Sequence, residues 1–323
     1  MKRSFLLAAL LAAIIFCGCV RKKASSNISS SADALALMER KIDDKMVAQL
    51  KNTTTVFFYG KSNLEQLESL KQAVTSGWNL TPVIFDSIGN FDKYAANPRY
   101  SYFVMEAAVR ETRMGSGANS SVIYNTHYYL VLNLFKATTG KGKLTSDKLC
   151  RIELYPNYTT MAKGERYYPK KGGKTLIQDL YDDGTFYNFT PVLINAQLQT
   201  LTSNLNDNIR PWLFRNVRNE NLTNILSNDT LYVPKSVLSN QITRETSTKF
   251  ENLFSSYKYK YRICTDSELF DIFEIQKRGR LLFEYVKSST DKFVTVYDLE
   301  KKSIVYKQYT PLSYALKSKD LKF

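Results

Sequence analysis

Histidine is almost missing from this chain: His127 is the only one in 323 residues. A cluster of histidines around a metal is therefore excluded, and any Ser-His-Asp chemistry would rest on that one side chain. No Gly-x-Ser-x-Gly elbow is present to support it, and His127, at the start of a strand, reads as a structural or exposed residue. Cysteine is also scarce, with four in all and no Cys-x-x-Cys pair, which argues against thioredoxin-type redox chemistry. Phosphate loops are lacking too. Gly172-Gly173-Lys174-Thr175 contains Gly-Lys-Thr, but Tyr168 stands where the Walker pattern needs its first glycine. Asp179, Asp182, Asp183 and Gly184 lack the ligand spacing of an EF-hand. The sequence thus offers no catalytic residue set, no metal site and no cofactor, and both Gly140-Lys141-Gly142 and Gly115-Ser116-Gly117 read as loops.

Long apolar runs are equally rare. The longest lies at the start, Phe5 to Phe16 behind Lys2-Arg3. About a dozen apolar residues are too few for the roughly 20 that span a bilayer, and basic residues before a short apolar core are the pattern of a cleaved export signal. The run ends Phe16-Cys17-Gly18-Cys19, and Gly18-Cys19 resembles the lipobox of bacterial lipoproteins. Phe16 stands where Leu is usual and Cys17 where Ala or Ser is usual. The resemblance covers residues 1–19 alone. It implies that residues 1–18 are removed, that the thiol of Cys19 carries a diacylglycerol, and that acyl chains such as palmitate tie the chain to a membrane. An Asp directly after the lipidated cysteine retains well-studied lipoproteins at the inner membrane. Val20 there favours the outer membrane.

What is abundant is ordinary protein with an excess of base. The residues are 44% hydrophobic and 23% charged, with a formal net charge of +15. Two of those charges belong to Lys2 and Arg3. Such a balance favours anionic partners, among them lipid headgroups and acidic glycans. Nucleic acid is not expected for an exported chain.

Residues 19–32, basic then serine-rich, read as a flexible tether. Residues 33–50 have apolar positions at helical spacing and predict an amphipathic helix. Residues 51–188 then read β-α-β-α-β-β-β, with crossovers first and hairpins later. The pattern recurs in 229–323: Thr230-Leu231-Tyr232-Val233 answers Thr55-Val56-Phe57-Phe58, and Ile263-Cys264-Thr265-Asp266-Ser267 answers Val83-Ile84-Phe85-Asp86-Ser87. Leu281-Leu282-Phe283-Glu284 answers Phe103-Val104-Met105-Glu106. Residues 189–228 form a helical connector, in which Pro211 ends or kinks the first helix and Trp212 to Leu226 makes another. The expected fold is α/β or α+β, with two related lobes, each a mixed sheet with helices packed on it. A cleft between such lobes would be a favoured ligand site. Cys150 and Cys264 could form one disulfide or remain buried thiols.

One segment concentrates aromatic and basic residues, Arg151 to Lys174. Tyr155, Tyr158, Tyr167 and Tyr168 alternate there with Arg166, Lys170, Lys171 and Lys174. Aromatic faces stack on sugars and cations pair with acidic groups, so these eight residues are the candidate contacts for an anion or glycan. The blander reading is a solvated loop with some tyrosines packed on the body. Glu106, Glu153 and Glu284 are strand carboxylates that could serve glycoside hydrolysis, but the sequence does not place any two together. The leading expectation is a non-catalytic envelope lipoprotein that binds or scaffolds a partner, an envelope protein or an anionic glycan. The alternative is a carboxylate-dependent enzyme acting on an envelope glycan. Two facing carboxylates with shifted pKa in an interlobe groove would favour the enzyme.

Overall fold

A computed structural model of the chain describes residues 44–114, 121–138, 144–167, 173–209, 215–238, 251–254, 256–313 and 315–323. Of these, 109–114, 121–125, 137–138, 144–145, 164–167, 173–176, 237–238 and 251–252 are described along the backbone alone. The leader, Cys19, the tether and most of the 33–50 helix lie outside the described residues, as do the loops at 115–119 and 140–142. The end of the expected helix is α1 (Asp44–Lys51).

The first sheet grows from β1 (Thr54–Tyr59), whose Val56, Phe57 and Phe58 are completely buried. A strand covered on both faces is the mark of a parallel interior strand. It runs parallel to β2 (Val83–Ser87), reached through α2 (Leu67–Gly77), and to β3 (Tyr100–Met114), reached through α3 (Phe91–Ala95). Thereafter β3, β4 (Ser121–Thr138) and β5 (Leu144–Leu154) are antiparallel, and the order is β2-β1-β3-β4-β5. The aromatic residues that favour strands also fill the core. Phe57 packs on Phe85 and Phe103 at 6.1 and 5.9 Å between ring centres. Trp78 meets Phe103 edge to face at 5.1 Å, and its indole N–H is satisfied by Thr81 Oγ1 at 2.9 Å.

The segment after β5 is helical where a loop was one of the expectations: α4 (Tyr158–Tyr167) and α5 (Gly173–Asp183) follow in turn. Lys163 on α4 pairs with Asp183 on α5, and Asp182 accepts a hydrogen bond from Gln178 at 3.3 Å. The acidic residues at the end of α5 are thus partnered along the helices.

Then comes α6 (Pro191–Asn206). Thr190 is extended and Pro191 opens the helix, where its missing N–H costs nothing. Asn208, left-handed at φ 54°, closes it before Pro211 is reached. The helix is buried nearly all round. Ile194, Leu198, Leu201 and Leu205 join the core of the first sheet, while Val192, Leu193 and Ala196 pack with Leu282 and Tyr297 of the second. Gly77 lets α2 approach α6 closely, since a Cβ there would stand 3.0 Å from both Asn195 O and Leu198 Cβ. The connector is therefore a shared core element, and Met38–Phe323 fold as one compact unit. Its expected second helix begins later and follows a short strand, β6 (Val217–Arg218), that precedes α7 (Leu222–Asn228).

The second sheet contains β7 (Leu231–Pro234), then α8 (Glu251–Phe254), β8 (Tyr261–Cys264), α9 (Asp266–Phe270), β9 (Leu281–Ser288), β10 (Asp291–Asp298) and β11 (Ser303–Thr310). β7 is parallel to β8 and β9, and the rest is antiparallel. Its order, β6-β11-β10-β9-β7-β8, repeats the first sheet strand for strand and adds β6 at the β11 edge. The two lobes are thus related in topology, in the positions where the apolar runs of the sequence match. Cys150 and Cys264 are both buried free thiols.

Candidate functional site

Between the sheets lies a cavity of about 320 Å³, within the range of small-molecule sites. Its floor is the face of the second sheet that looks towards α6. Register places Glu284 on β9 and Lys307 on β11 on either side of Thr295 on β10, one row across three strands. Alternation along the same strands adds Val286, Phe293 and Tyr297 to that face. Arg151 and Glu153 of β5 enter from the first sheet, and Gln197, Thr200 and Leu201 from α6. Ile209, Arg215 and Val217 complete the wall.

Both carboxyl groups are buried, each only 5% exposed, and both are held by protein donors. Glu284 Oε1 accepts from Asn188 Nδ2 at 2.9 Å and from Gln197 Nε2, and its Oε2 accepts from the Tyr297 hydroxyl at 2.6 Å. Asn188 Nδ2 also donates to the backbone carbonyl of Glu153 at 2.8 Å, so one amide ties both strands. Glu153 Oε1 lies 3.2 Å from Arg151 Nη2, and its Oε2 accepts from Ser288 Oγ at 2.6 Å. Arg151 in turn stacks over the Tyr129 ring, 4.3 Å from its centre. His127 is buried, with Nδ1 2.9 Å from Ser288 Oγ. The serine stands between the histidine and the carboxylate, and the hydrogen bond that a nucleophile would need goes to Glu153. A Ser-His-Asp relay has the histidine in the middle. The arrangement here is different.

Removal from water dominates the electrostatics. Burial pushes Glu153 up to about 7, assisted by Asp291 and opposed by Arg151 and Ser288. Burial also raises Glu284, against the pull of its three hydrogen-bond donors. Tyr297 is raised by burial and by the charge of Glu284 beside it. Lys307, half-buried, is pushed down to about 8 by desolvation, against the attraction of Glu284 and Glu153. Its side-chain amine makes no hydrogen bond or ion pair to a described residue. Thr295 separates it from Glu284 by two strand spacings, about 10 Å between Cβ atoms. On the helix side, Gln197 is 5% exposed and its Oε1 has no hydrogen-bond partner among the described residues. An amine and an amide oxygen therefore remain for a ligand in a mainly apolar space.

The aromatic–basic segment does not assemble as one surface. Tyr155 is buried in the second core, edge to face with Tyr187 at 4.9 Å and Tyr285 at 5.4 Å. It is a packing residue, and a sugar cannot reach its ring. Tyr158 is half-buried at the start of α4. Arg166, Tyr167 and Lys174 lie on helix backbones with side chains outside the description, and Tyr168, Lys170 and Lys171 lie outside the described residues. Of the three strand carboxylates, Glu153 and Glu284 share the cavity, whereas Glu106 is bound by Lys148 away from it. Lys307, Gln197 and Asn188 were missed by the sequence reading. Their signal is a polar residue inside a run otherwise built for burial, such as Gln197 within Val192-Leu193-Ile194-Asn195-Ala196-Gln197-Leu198.

Among the described residues no helix is long and apolar enough to cross a membrane, and no group of three potential metal ligands occurs. No protein-family model matches the chain, and no curated protein or solved structure matches it significantly.

Proposed function

We propose that the protein is an exported envelope lipoprotein, anchored through Cys19 on the outer membrane, whose body binds a small ligand between its two sheets without turning it over. Its basic surface would meet a neighbouring envelope protein or an anionic glycan. The observation that carries the binding reading is the cavity itself, which holds one amine and one amide oxygen without partners among the described residues, between apolar walls. Buried polar groups are nearly always satisfied, so the unpartnered Gln197 Oε1, with the half-buried Lys307 amine in the same space, favours a ligand that satisfies them.

The test uses benzyl alcohol, a small apolar molecule with one hydroxyl. Titration should give saturable NMR shift changes at Leu201, Val286 and Phe293, and Leu201→Trp should remove them by filling the space. Shifts that stay linear with concentration, or that ignore the substitution, contradict a binding site here.

The enzyme reading is favoured by one fact, the presence of Glu153 near 7 and a raised Glu284 in the same cavity. A carboxyl titrating near neutrality suits general acid–base work. Against it, Glu284 already accepts three hydrogen bonds from the protein, which leaves little of it to engage a glycosidic oxygen. Glycan-hydrolysing activity that is abolished by Glu153→Gln would establish this reading over the first.

A further inference from the structure

We propose that Lys307 is an amine nucleophile that captures a small aldehyde or ketone in this cavity as a reversible imine. This rests on the cavity being a ligand site, and it names the ligand's class. The geometry comes first. A lysine that shares a cavity with two carboxyl groups would ordinarily be paired with one of them. Here Glu284 is occupied by Asn188, Gln197 and Tyr297, and Glu153 by Arg151 and Ser288. The Lys307 amine is left without a partner among the described residues, facing apolar walls that include Phe293 and Leu201.

Desolvation then supplies the reactive form. With its pKa pushed down to about 8, roughly a tenth of Lys307 is neutral at pH 7, against less than about one part in a thousand for an ordinary lysine. The acids beside it complete the chemistry. The Nζ lone pair forms a bond to the carbonyl carbon, and the carbonyl π pair moves to oxygen, which takes up a proton. Loss of that oxygen as water, with departure of the remaining N–H proton, gives the imine. One carbonyl and one amine become one imine and one water, so no oxidant or reductant is needed. Glu153, titrating near neutrality, can give and take the protons. The free Oε1 of Gln197 can accept a hydrogen bond from the hydroxyl of the addition intermediate or of the ligand. Arg151 and Arg215 also line the cavity, but a guanidinium does not form an imine. Lys302, exposed at the rim, is the internal control.

The purified protein is incubated near neutral pH with benzaldehyde and sodium cyanoborohydride, and the reduced adduct is located by peptide mass mapping. Lys307 should be labelled at least about tenfold faster than Lys302 or any other lysine, as its neutral fraction requires. Leu201→Trp should slow labelling at Lys307 and leave Lys302 unchanged, and saturating benzyl alcohol should do the same in the unaltered protein. Even labelling over surface lysines, with Lys307 unmodified, overturns the proposal. If benzyl alcohol still binds the cavity in that case, the amine chemistry falls and the binding site stands. If benzyl alcohol fails as well, both fall together.

Discussion

Ser288 on β9 donates its hydroxyl hydrogen to Glu153 Oε2 on β5 at 2.6 Å, across the seam between the two sheets. Both side chains are buried, and β5 is the last strand of the first sheet. A hydrogen bond to a charged acceptor contributes about 1.5–3 kcal/mol. Ser288→Ala should destabilise the protein by about that amount in urea unfolding. It should also move the Glu153 titration further up, because the donor that favours the carboxylate is lost. An unchanged Glu153 midpoint would show that the bond is not made in solution.

Stability should pass through a minimum near neutral pH. Glu153 has a folded value of about 7 against an ordinary 4.5. Between those values the folded protein binds more protons than the unfolded chain, so stability falls as pH rises, by about 3 kcal/mol over the window. Glu284 acts in the same direction. Lys307 acts oppositely. Its folded value of about 8 lies below the ordinary 10.5, so its cost is relieved as pH climbs from the first to the second. Urea midpoints measured against pH should show both limbs. Glu153→Gln should flatten the acid limb and Lys307→Met the alkaline one.

A second buried charge pair secures the end of the second core. Lys292 is fully buried and donates to Asp320 Oδ2 and, at 2.8 Å, to the carbonyl of Ala315. Removing one partner strands the other charge away from water. Asp320→Ala should cost about 3–5 kcal/mol, while Lys292→Met with Asp320→Leu should recover much of it. Thermal unfolding of the parent and the two variants checks this. A single variant as stable as the parent would contradict the burial of the pair.

The proposed lipid anchor would make location depend on one thiol, that of Cys19. Cys19→Ser should abolish incorporation of labelled palmitate and release the protein from the membrane fraction, since no single weak contact replaces acyl anchoring. Membrane retention without label would locate the attachment elsewhere in the chain.

Much of the architecture was legible because it is written in local apolar runs. Val56-Phe57-Phe58 and Leu231-Tyr232-Val233 announce interior parallel strands, and the later runs announce hairpins, so both the mixed sheets and their likeness could be read. The burial of α6 on all sides was not, because helical spacing of apolar residues does not tell that a second sheet also closes over Asn195 and Gln197. Tyr155 shows the same limit: a tyrosine stacked in a core and one offered to a sugar have identical local sequence, and Tyr187 and Tyr285 decide between them from a distance. The cavity was half legible. Glu153 and Glu284 stood out as charges within strands, but their meeting requires the second sheet to face β5. Lys307 acquires its character only from that meeting.

The most direct measurement is the titration of the Lys307 side-chain nitrogen, followed by NMR in protein labelled with ¹⁵N-lysine and assigned through Lys307→Met. A midpoint near 8 is expected if the amine stands desolvated and without a partner in the cavity. A midpoint at the ordinary lysine value of about 10.4 would mean a hydrated or paired ammonium, and would contradict the imine chemistry and the unpartnered amine on which the ligand site was argued.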